Sequence, residues 1–551
     1  MSKNKIVLGK FITLDENNPY AEAVIVNDGR IVYVGDEKYA KSLCNDETEV
    51  MDYKDNYIYP GFMDAHTHGL FAGYRSLGQA NLIKVLPPSH EGYRKVIENF
   101  INENPNKDMY IAAGWGEDGK TVFTSSFLDD ICKDKPLIMN TLGGHSVLLN
   151  KAAMKKFGIT KEYAKEMGSD LVRVDENGEP TGYVCETPAV KILQSLTISD
   201  EEAKEYILDW QRFVFSRGFT GVVDAGVELI SSNAFDAYID LNAENQLKLY
   251  TYSYLITDDN VENPKKKALE IAELAKKHNI KHFKIIGAKV FLDGVVEAHT
   301  AWLINEYNDK QNYYGNQRFN DKEKLTELIA ETGKYNLSVH AHSDGDGATK
   351  FFLDCIEKGQ KISNNYDQRN AAAHLQLVNS NDFKRMADTN TVAVVPPLWV
   401  PKIPGVYEQE CDYIGKDRND SVYPIKSFVN AGAKIVFHSD YPISPIFDGP
   451  FSVYTAVKRT VPKDTKLAEG VDSNYCLRGE NEVIDRKQSL EALTKNVAYM
   501  VHEENNLGSI SKGKIANFSI LDKDLLNDDL EEIVKASVIA TIVDGEEVFH
   551  S

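Results

Sequence analysis

The sequence predicts an α/β protein built on a (β/α)8 TIM-like barrel, with a small β-sandwich domain made from both termini and an inserted subdomain. Three observations lead to this fold class. Short apolar runs alternate with helical patterns along most of the chain, the order that a parallel barrel produces. A long interval follows the first of these runs, and similar strand-turn-strand patterns stand at the two ends of the chain.

The size and charge of the chain narrow the class of function. Its 551 residues exceed the roughly 250 of a simple barrel, so additions to the barrel are expected. The formal net charge is −21 and no basic stripe interleaves with aromatic residues, so nucleic-acid binding is not expected. No apolar run is long enough for a membrane helix, and the amino terminus lacks the pattern of a secretory signal.

The cysteines indicate the compartment. They are scattered without a Cys-x-x-Cys pair at positions Cys44, Cys132, Cys185, Cys355, Cys411 and Cys476. This arrangement suits reduced thiols that serve as packing residues, so a cytoplasmic protein is expected.

The two ends of the chain predict one composite β-domain. Residues 1–56 carry short strand-like runs, two of which flank Asn27-Asp28-Gly29, a hairpin signal. This segment is too small to hold a core alone. Residues 500–551 carry the same pattern of short strand-like runs separated by turns. We therefore expect the two segments to pair, with the barrel of residues 57–499 inserted between them.

Eight apolar segments predict the barrel strands, at residues 58–63, 220–224, 248–255, 284–292, 337–342, 371–377, 392–398 and 435–438. The interval between the first two far exceeds one crossover helix. It predicts an inserted subdomain within residues 70–215, with strand-like stretches at 109–113, 137–141 and 171–174. Because the insertion follows the carboxyl end of a barrel strand, we expect it to overhang the active-site face and shape the substrate pocket.

The first barrel segment leads into His66-Thr67-His68. Side chains at i and i+2 of a strand point the same way, so the two imidazoles can reach one metal ion. Later segments carry Lys289, His340 and His374, and the last leads into Asp440. A lysine or carboxylate buried in a barrel without a partner would be costly, so these residues predict a joint metal site.

The residue types also indicate the chemistry. Neutral imidazoles and a carboxylate suit Zn²⁺, with Mn²⁺ or Fe²⁺ as alternatives. A buried Lys289 of lowered pKa can be a neutral amine, able to react with CO₂ to give a carbamate that bridges two metal ions. A metal lowers the pKa of bound water to about 7, and Asp440 can take the proton and pass it to a leaving group.

Several motifs resemble those of the amidohydrolase superfamily, in the branch of N-substituted formamide deformylases and related uncharacterised metal-dependent hydrolases. They span nearly the whole chain: Ala-Val-Ile-Val-Asn-Asp-Gly-Arg-Ile-Val-Tyr-Val-Gly, Pro-Gly-Phe-Met-Asp-Ala-His-Thr-His, Gly-Gly-His-Ser, Gly-Glu-Pro-Thr-Gly, Lys-Val-Phe-Leu-Asp-Gly, Ser-Asp-Tyr-Pro and Leu-Gly-Ser-Ile-Ser-Lys-Gly-Lys-Ile-Ala-Asn-Phe-Ser-Ile-Leu-Asp.

The resemblance implies two divalent metal ions, most readily zinc, and assigns residue roles. His66 and His68 would hold the first metal with Asp440, and a carboxylated Lys289 would bridge to a second. The ligands of the second metal would be His340 and His374. His145 of Gly-Gly-His-Ser would face the substrate, with a turn or capping histidine as the alternative. The resemblance also allows a homodimer.

The chain departs from the branch at several histidines. His299 stands where the branch has the arginine of Arg-Thr-Ala, which would weaken recognition of a substrate carboxylate. His342 replaces an apolar residue and His438 a glycine, and either could bind substrate or metal. The spacing of His438 from Asp440 favours packing one layer down in the barrel.

Aromatic residues suggest an apolar substrate. Trp115, Trp399 and Tyr441 lie near predicted strand ends, where they could line a pocket or serve as simple core. If they line it, the substrate carries an apolar or aromatic group beside its amide.

The predicted function is hydrolysis of a non-peptide C–N bond, of amide type such as N-acyl or N-formyl, in a small molecule. A deaminase on the same barrel is one alternative, although it typically needs a glutamate soon after His340, where the chain has Ala-His-Ser-Asp. An ester, lactone or carbamate hydrolase stays open because the same hydroxide attacks those carbonyls. A non-catalytic relative would have lost ligands, and none is lost.

Overall fold

The computed structural model describes residues 4–85, 89–115, 123–141, 146–196, 198–227, 234–259, 261–403, 405–463 and 479–551. The chain divides into two compact units. The larger contains residues 1–69, 211–228 and 238–551, and the smaller contains residues 70–210 and 229–237. Among the described helices, none is both long and apolar enough to cross a bilayer.

The strands, in chain order, are β1 (Lys5–Ile12), β2 (Tyr20–Asn27), β3 (Arg30–Gly35), β4 (Glu49–Pro60), β5 (Phe62–Thr67), β6 (Ala80–Asn81), β7 (Tyr110–Trp115), β8 (Leu137–Thr141), β9 (Ser146–Leu149), β10 (Val172–Val174), β11 (Pro180–Cys185), β12 (Phe219–Asp224), β13 (Tyr250–Ile256), β14 (Phe283–Phe291), β15 (Ser338–Ser343), β16 (Ala371–His374), β17 (Val392–Val395), β18 (Ile435–Phe437), β19 (Phe518–Leu521), β20 (Val538–Val543) and β21 (Glu546–His550).

The α-helices are α1 (Glu37–Ser42), α2 (Gly69–Gly73), α3 (His90–Glu103), α4 (Ser125–Asp129), α5 (Lys151–Phe157), α6 (Lys161–Met167), α7 (Glu186–Gln194), α8 (Asp200–Ser216), α9 (Ala234–Ala243), α10 (Pro264–Lys277), α11 (Lys322–Lys334), α12 (Asp346–Ser363), α13 (Ser380–Asp388), α14 (Val406–Ile414), α15 (Lys416–Asn419), α16 (Ile425–Ala431), α17 (Gly449–Lys458), α18 (Arg486–Ala492), α19 (Lys495–Met500) and α20 (Leu530–Ile533).

The eight parallel strands of the barrel follow one another in chain order, from β5 through β12 to β18. Hydrogen bonds tie the first strand to the chain that leaves the last. The Asp440 N–H donates to the carbonyl of His66 at 3.0 Å, and the His68 N–H donates to the carbonyl of Tyr441 at 2.9 Å. These bonds close the barrel at its carboxyl end. The predicted fold class, a TIM-like barrel with an additional sheet domain, is confirmed.

Both termini contribute to one seven-stranded sheet, in the order β21-β20-β19-β4-β1-β2-β3. Alternate residues of β1 face opposite sides. Val7 and Phe11 join a core shared with β19 and β20, whereas Ile6 and Leu8 pack towards Ala40 of α1. The predicted hairpin at Asn27 joins β2 to β3.

The start of the first barrel strand corrects the sequence prediction. Residues 58–63 were expected to be one strand, but residues up to Pro60 belong to β4 of the terminal sheet, and the barrel strand β5 begins at Phe62. The chain passes between the two sheets at Gly61, where a Cβ would meet Thr220 Oγ1 at 2.1 Å. Apolar residues on both sides of this crossing hide it from pattern reasoning.

The smaller unit holds a six-stranded sheet in the order β10-β11-β9-β8-β7-β6. The stretches predicted at 109–113, 137–141 and 171–174 correspond to β7, β8 and β10. One core of this unit includes Ile97 and Phe100 of α3 and Leu137 and Met139 of β8.

Gly287 permits the close approach of β14 and β15, the strands that carry Lys289 and His340. A Cβ at Gly287 would lie 1.9 Å from the carbonyl oxygen of Ser338, and backbone cannot move aside as a flexible side chain can. We expect Gly287→Ala to lower the free energy of unfolding by at least about 3 kcal/mol, measured by urea denaturation. Gly221→Ala in β12 is the control, since its nearest contact would be the flexible methyl of Met63 at 3.1 Å. Equal stability of the two variants would contradict the prediction.

Candidate metal centre

The predicted ligands lie at the carboxyl ends of barrel strands. The register pairs Lys289 of β14 with His340 of β15, and it pairs Ser343 of β15 with His374 of β16. His66 lies in β5 and is fully buried. Parallel strands bring these side chains to the same end of the barrel, which is where such barrels hold their active sites.

His66, His68 and Asp440 form the tightest group. Each offers a ligand atom within 4.8 Å of the others, and all are buried. Asp440 Oδ1 lies 3.4 Å from His66 Nε2 and 3.2 Å from His68 Nε2. Two imidazoles and one carboxylate at this spacing are a ligand set that divalent zinc accepts.

His340, His374 and Lys289 lie beside this group. His340 Nε2 is 2.9 Å from His66 Nδ1, and the ring centroids of His66 and His374 are 5.0 Å apart. Within the described part of the chain, Lys289 Nζ, His340 Nδ1 and His374 Nδ1 are buried without a hydrogen-bond partner. The predicted ligands are therefore brought together, and several of their nitrogens are unpaired.

Burial favours the neutral forms of these nitrogens. It lowers the pKa of Lys289 to about 7, against the attraction of Asp440. Burial, reinforced by the charges of neighbouring groups such as Lys289, also holds the pKa values of His66, His340 and His374 well below their usual range. Neutral imidazoles with free lone pairs are the form that binds metal.

A divalent metal centre fits this residue set. Buried polar atoms without partners are costly, and here they share one region with a carboxylate. Lys289 is 1% exposed, and at a pKa of about 7 a substantial fraction is the free amine that carbamate formation requires. The unpaired nitrogens therefore have an explanation in metal binding that simple core packing does not provide.

Strained backbone places two of the ligands. Asp440 has φ of 56° and His374 has φ of 80°, a left-handed region that side chains with a Cβ rarely adopt. Such strain persists where the surrounding structure imposes it, and it clusters at functional sites. Asp440 meets this condition because its N–H is bonded to His66.

Asp64 is a positioning residue that sequence reasoning did not single out. Its Oδ1 accepts the N–H of His66 at 3.0 Å, and its Oδ2 accepts the N–H of Ser439 at 3.0 Å. Burial raises the pKa of Asp64 to about 7. The carboxyl group thus joins the strand that carries His66 to the segment that carries Asp440. Its position two residues before His66 on a buried strand was the available signal.

Asp293 fixes the orientation of His342. Its carboxylate accepts backbone N–H groups of Trp302, Asp344 and Gly345 at 2.8–3.1 Å, so it serves as an acceptor, and the Nδ1–H of His342 donates to it at 3.0 Å. The ring of His342 lies 4.5 Å from that of His374. His342, predicted from sequence to contact substrate, therefore lies beside the candidate ligands with Nδ1 occupied.

Trp399 and Tyr441 lie close to the centre. The ring of Trp399 stacks on that of His374, with centroids 5.5 Å apart and planes 9° apart. Tyr441 follows Asp440 directly and stacks on Phe213 at 5.0 Å. Trp399 is thus placed to form a flat apolar surface beside the candidate ligands. The ring of Tyr441 packs against other aromatic residues instead.

His299 and Trp115, which were also predicted to contact substrate, pack against residues outside the candidate ligand group. His299 Nε2 lies 2.7 Å from Asp309 Oδ2, and its ring is 3.8 Å from that of Tyr413. Trp115 is 3% exposed in the core of the smaller unit, where it packs on Phe123. This is the core packing that the sequence left open. His145 lies outside the described residues.

Acid should destabilise the metal-free protein. The histidines buried as neutral bases have lowered pKa values in the folded state, so the unfolded state binds more protons below pH 6.5. The free energy of unfolding therefore decreases as the pH is lowered. Asp64, with its raised pKa, opposes this between about pH 7 and 4. Each unopposed histidine contributes roughly 1.4 kcal/mol per pH unit.

We therefore expect the free energy of unfolding of chelator-treated protein to fall by about 3 kcal/mol or more from pH 6.5 to 5.0, measured by urea denaturation. His550→Gln removes a histidine that is 57% exposed, and it should leave this slope unchanged. A slope of zero or of opposite sign would show that these histidines are not buried as neutral bases.

Comparison with known proteins agrees with the geometry. A sequence model of the amidohydrolase family matches residues 49–549. The chain belongs to the amidohydrolase family. It is 27% identical to Protein LONG AFTER FAR-RED 3 of Arabidopsis thaliana, over 98% of this chain and 90% of that protein. It is 23% identical to the N-substituted formamide deformylase of Arthrobacter pascens, over 97% and 96% of the two chains.

A solved structure shows the same fold. An uncharacterised metal-dependent hydrolase from Pyrococcus furiosus superposes with a TM-score of 0.76, covering 95% of this chain and all of its own. The sequence identity is 22%, so this likeness concerns the fold alone.

Proposed function

We propose that this amidohydrolase-family protein is a metal-dependent enzyme that hydrolyses a non-peptide amide, of N-acyl or N-formyl type, in a small molecule. The observation that carries the proposal is the convergence of His66, His68 and Asp440 within 4.8 Å, beside the unpaired nitrogen of Lys289. Similarity to an N-substituted formamide deformylase supports the choice of bond.

In this proposal the residues divide between two metal ions, with zinc the preferred metal. His66, His68 and Asp440 would hold one, and His340 and His374 the other. Lys289, carboxylated by CO₂, would bridge them. Bound divalent metal supplies a water of lowered pKa and an electrophile for the carbonyl oxygen.

The protein's own groups perform the proton transfers and hold the substrate. Asp440 accepts the proton of the attacking water and delivers it to the leaving nitrogen, and Asp64 keeps Asp440 beside His66 through its bond to Ser439. The face of Trp399 beside His374 favours a substrate with an apolar or aromatic group next to its amide. His145 remains proposed as a further donor to the carbonyl oxygen.

Two other reactions use the same groups. A deaminase is disfavoured because Ala341 and His342 follow His340 where a deaminase typically has a glutamate, and because Lys289 suits a two-metal site. An ester, lactone or carbamate hydrolase would need no different residue. Small-molecule turnover by a cytoplasmic enzyme, as a monomer or a homodimer, is part of the proposal.

The test is a substrate screen with protein loaded with zinc in the presence of bicarbonate. Formyl and acetyl derivatives of aromatic and aliphatic amines are incubated with it, and amine release is measured beside matched esters, carbamates and aminopurines. We expect amine release from the aromatic amides, abolished when metal is removed. Ammonia release from aminopurines without amide cleavage would overturn the proposal in favour of a deaminase.

A further inference from the structure

His438 is a buried histidine whose ring nitrogens have no assigned task. It lies directly after β18, two residues before Asp440, and is 2% exposed. Neither Nδ1 nor Nε2 has a hydrogen-bond partner among the described residues. A buried imidazole with both nitrogens unpaired requires an explanation, because such groups are nearly always satisfied in folded proteins.

The surroundings of His438 are the candidate ligands themselves. Its ring centroid lies 5.3 Å from that of His66 and 5.1 Å from that of His374, and Trp399 covers it at 5.6 Å. Of these neighbours, His66 and His374 are metal ligands in the proposed function. The other ring contacts of His66 within the centre, with His68 at 5.3 Å and His340 at 4.8 Å, are of the same length.

A second buried histidine of the barrel shows what a structural imidazole looks like here. His282 is 5% exposed, and its Nε2 lies 2.7 Å from Asp544 Oδ2. His282 thus has one ring nitrogen paired, although its Nδ1 is buried without a hydrogen-bond partner among the described residues. His438 differs because both of its ring nitrogens lack a partner among the described residues.

The chain also places His438 on the strands that close the barrel. The last strand leads into His438-Ser439-Asp440 and the first contains His66-Thr67-His68, and the two segments are bonded through the Asp440 N–H and the His66 carbonyl. Each segment thus offers two donors spaced by one residue. The ligand atoms that lie within 4.8 Å of one another are those of His66, His68 and Asp440. On metal binding, a nitrogen of His438 would join them to give three imidazoles and one carboxylate, donor types that suit zinc.

We propose that His438 is an additional nitrogen ligand of the metal held by His66, His68 and Asp440. The inference rests on the metal centre of the proposed function. With His438, this metal would have three nitrogen ligands instead of two. Nitrogen ligands favour Zn²⁺ or Co²⁺ over Mn²⁺, so the preference for these metals would be stronger.

The test measures metal binding rather than turnover. The whole chain, treated with chelator, is titrated with Co²⁺ against a competing chelator, for wild type, His438→Leu and His438→Gln. For the Co²⁺ ion that binds more tightly of the two, we expect the affinity of His438→Leu to be at least about 10-fold weaker than that of wild type. The visible absorption spectrum of the bound Co²⁺ should also change. Preference for Zn²⁺ over Mn²⁺ should fall by a similar factor. His282→Gln is the matched control, and its Co²⁺ affinity should stay within about twofold of wild type.

Thermal melting without metal separates ligation from packing. If His438 only packs, His438→Leu changes the melting temperature of the metal-free protein and leaves the increase on adding Co²⁺ unchanged. If it is a ligand, that increase shrinks. Equal Co²⁺ affinity, absorption and metal-induced stabilisation in wild type and His438→Leu would overturn the inference.

If the His438 variants fail to fold, a measurement on the wild-type protein alone still tests the proposal. Proton spectra of the Co²⁺ protein count shifted imidazole N–H resonances, and we expect one from His438 in addition to those of His66, His68, His340 and His374. Absence of the additional resonance overturns this inference and leaves the proposed function intact. Absence of all of them overturns both.

Discussion

Replacing Lys289 by alanine is expected to lower the metal content from about two ions per chain to one or fewer. Lys289 is fully buried, and its pKa is lowered to about 7, so it can exist as the amine that reacts with CO₂. Without a bridging carbamate, the second metal would retain only His340 and His374. The measurement is metal per chain by elemental analysis, on protein purified with zinc and bicarbonate.

Lys284→Ala is the matched control for Lys289→Ala. Lys284 lies on the same strand, β14, and its amine is paired with Glu503, so its loss should leave the metal content near two. One metal in both wild type and Lys289→Ala would contradict the two-metal mechanism and make deaminase substrates the next to be tested. No metal in either would favour a non-catalytic relative.

Replacing Asp440 by asparagine is expected to lower kcat by about 10³-fold for the amide identified in the screen. Asparagine keeps the shape and one oxygen donor, but it cannot accept the proton that the leaving nitrogen needs. General acid–base groups commonly contribute 10²- to 10⁴-fold. KM should change far less than kcat, because the loss concerns proton transfer rather than substrate contact.

Two controls are needed to attribute the loss of kcat in Asp440→Asn to proton transfer. Metal analysis must show that at least one ion per chain remains, since the carboxylate is also a proposed ligand. Asp388→Asn changes an exposed carboxylate paired with Lys384 on the outer helix α13, and it should retain wild-type kcat. A kcat for Asp440→Asn within about tenfold of wild type would show that another group transfers the proton.

The barrel could be predicted because its signals are local. Buried parallel strands are short apolar runs bounded by turns, and each of the eight predicted segments contains or overlaps a barrel strand. The convergence of the candidate ligands could be predicted for a related reason. Histidines, a lysine and an aspartate at the ends of such runs must meet at one end of the barrel, and the structure brings His66, His68 and Asp440 together.

Features that depend on distant partners could not be predicted from the sequence. The boundary at Gly61 is set by Thr220 and Asn517, which are remote in sequence. Asp64 gains its role only because Ser439 lies opposite, and Asp293 only because His342 and the backbone of Trp302 converge on it. His438 was predicted to pack below Asp440, and its ring contacts with His66 and His374 depend on how the first and last strands meet.

The proposed function requires a metal ion at the barrel mouth, held by His66, His68 and Asp440. Anomalous diffraction from crystals of this chain, recorded above and below the zinc absorption edge, would locate such an ion. We expect a zinc peak within bonding distance of His66 Nε2, His68 Nε2 and an Asp440 carboxylate oxygen, with a second peak beside Lys289. Crystals grown with zinc and bicarbonate that show no peak between these three residues would contradict the proposed function.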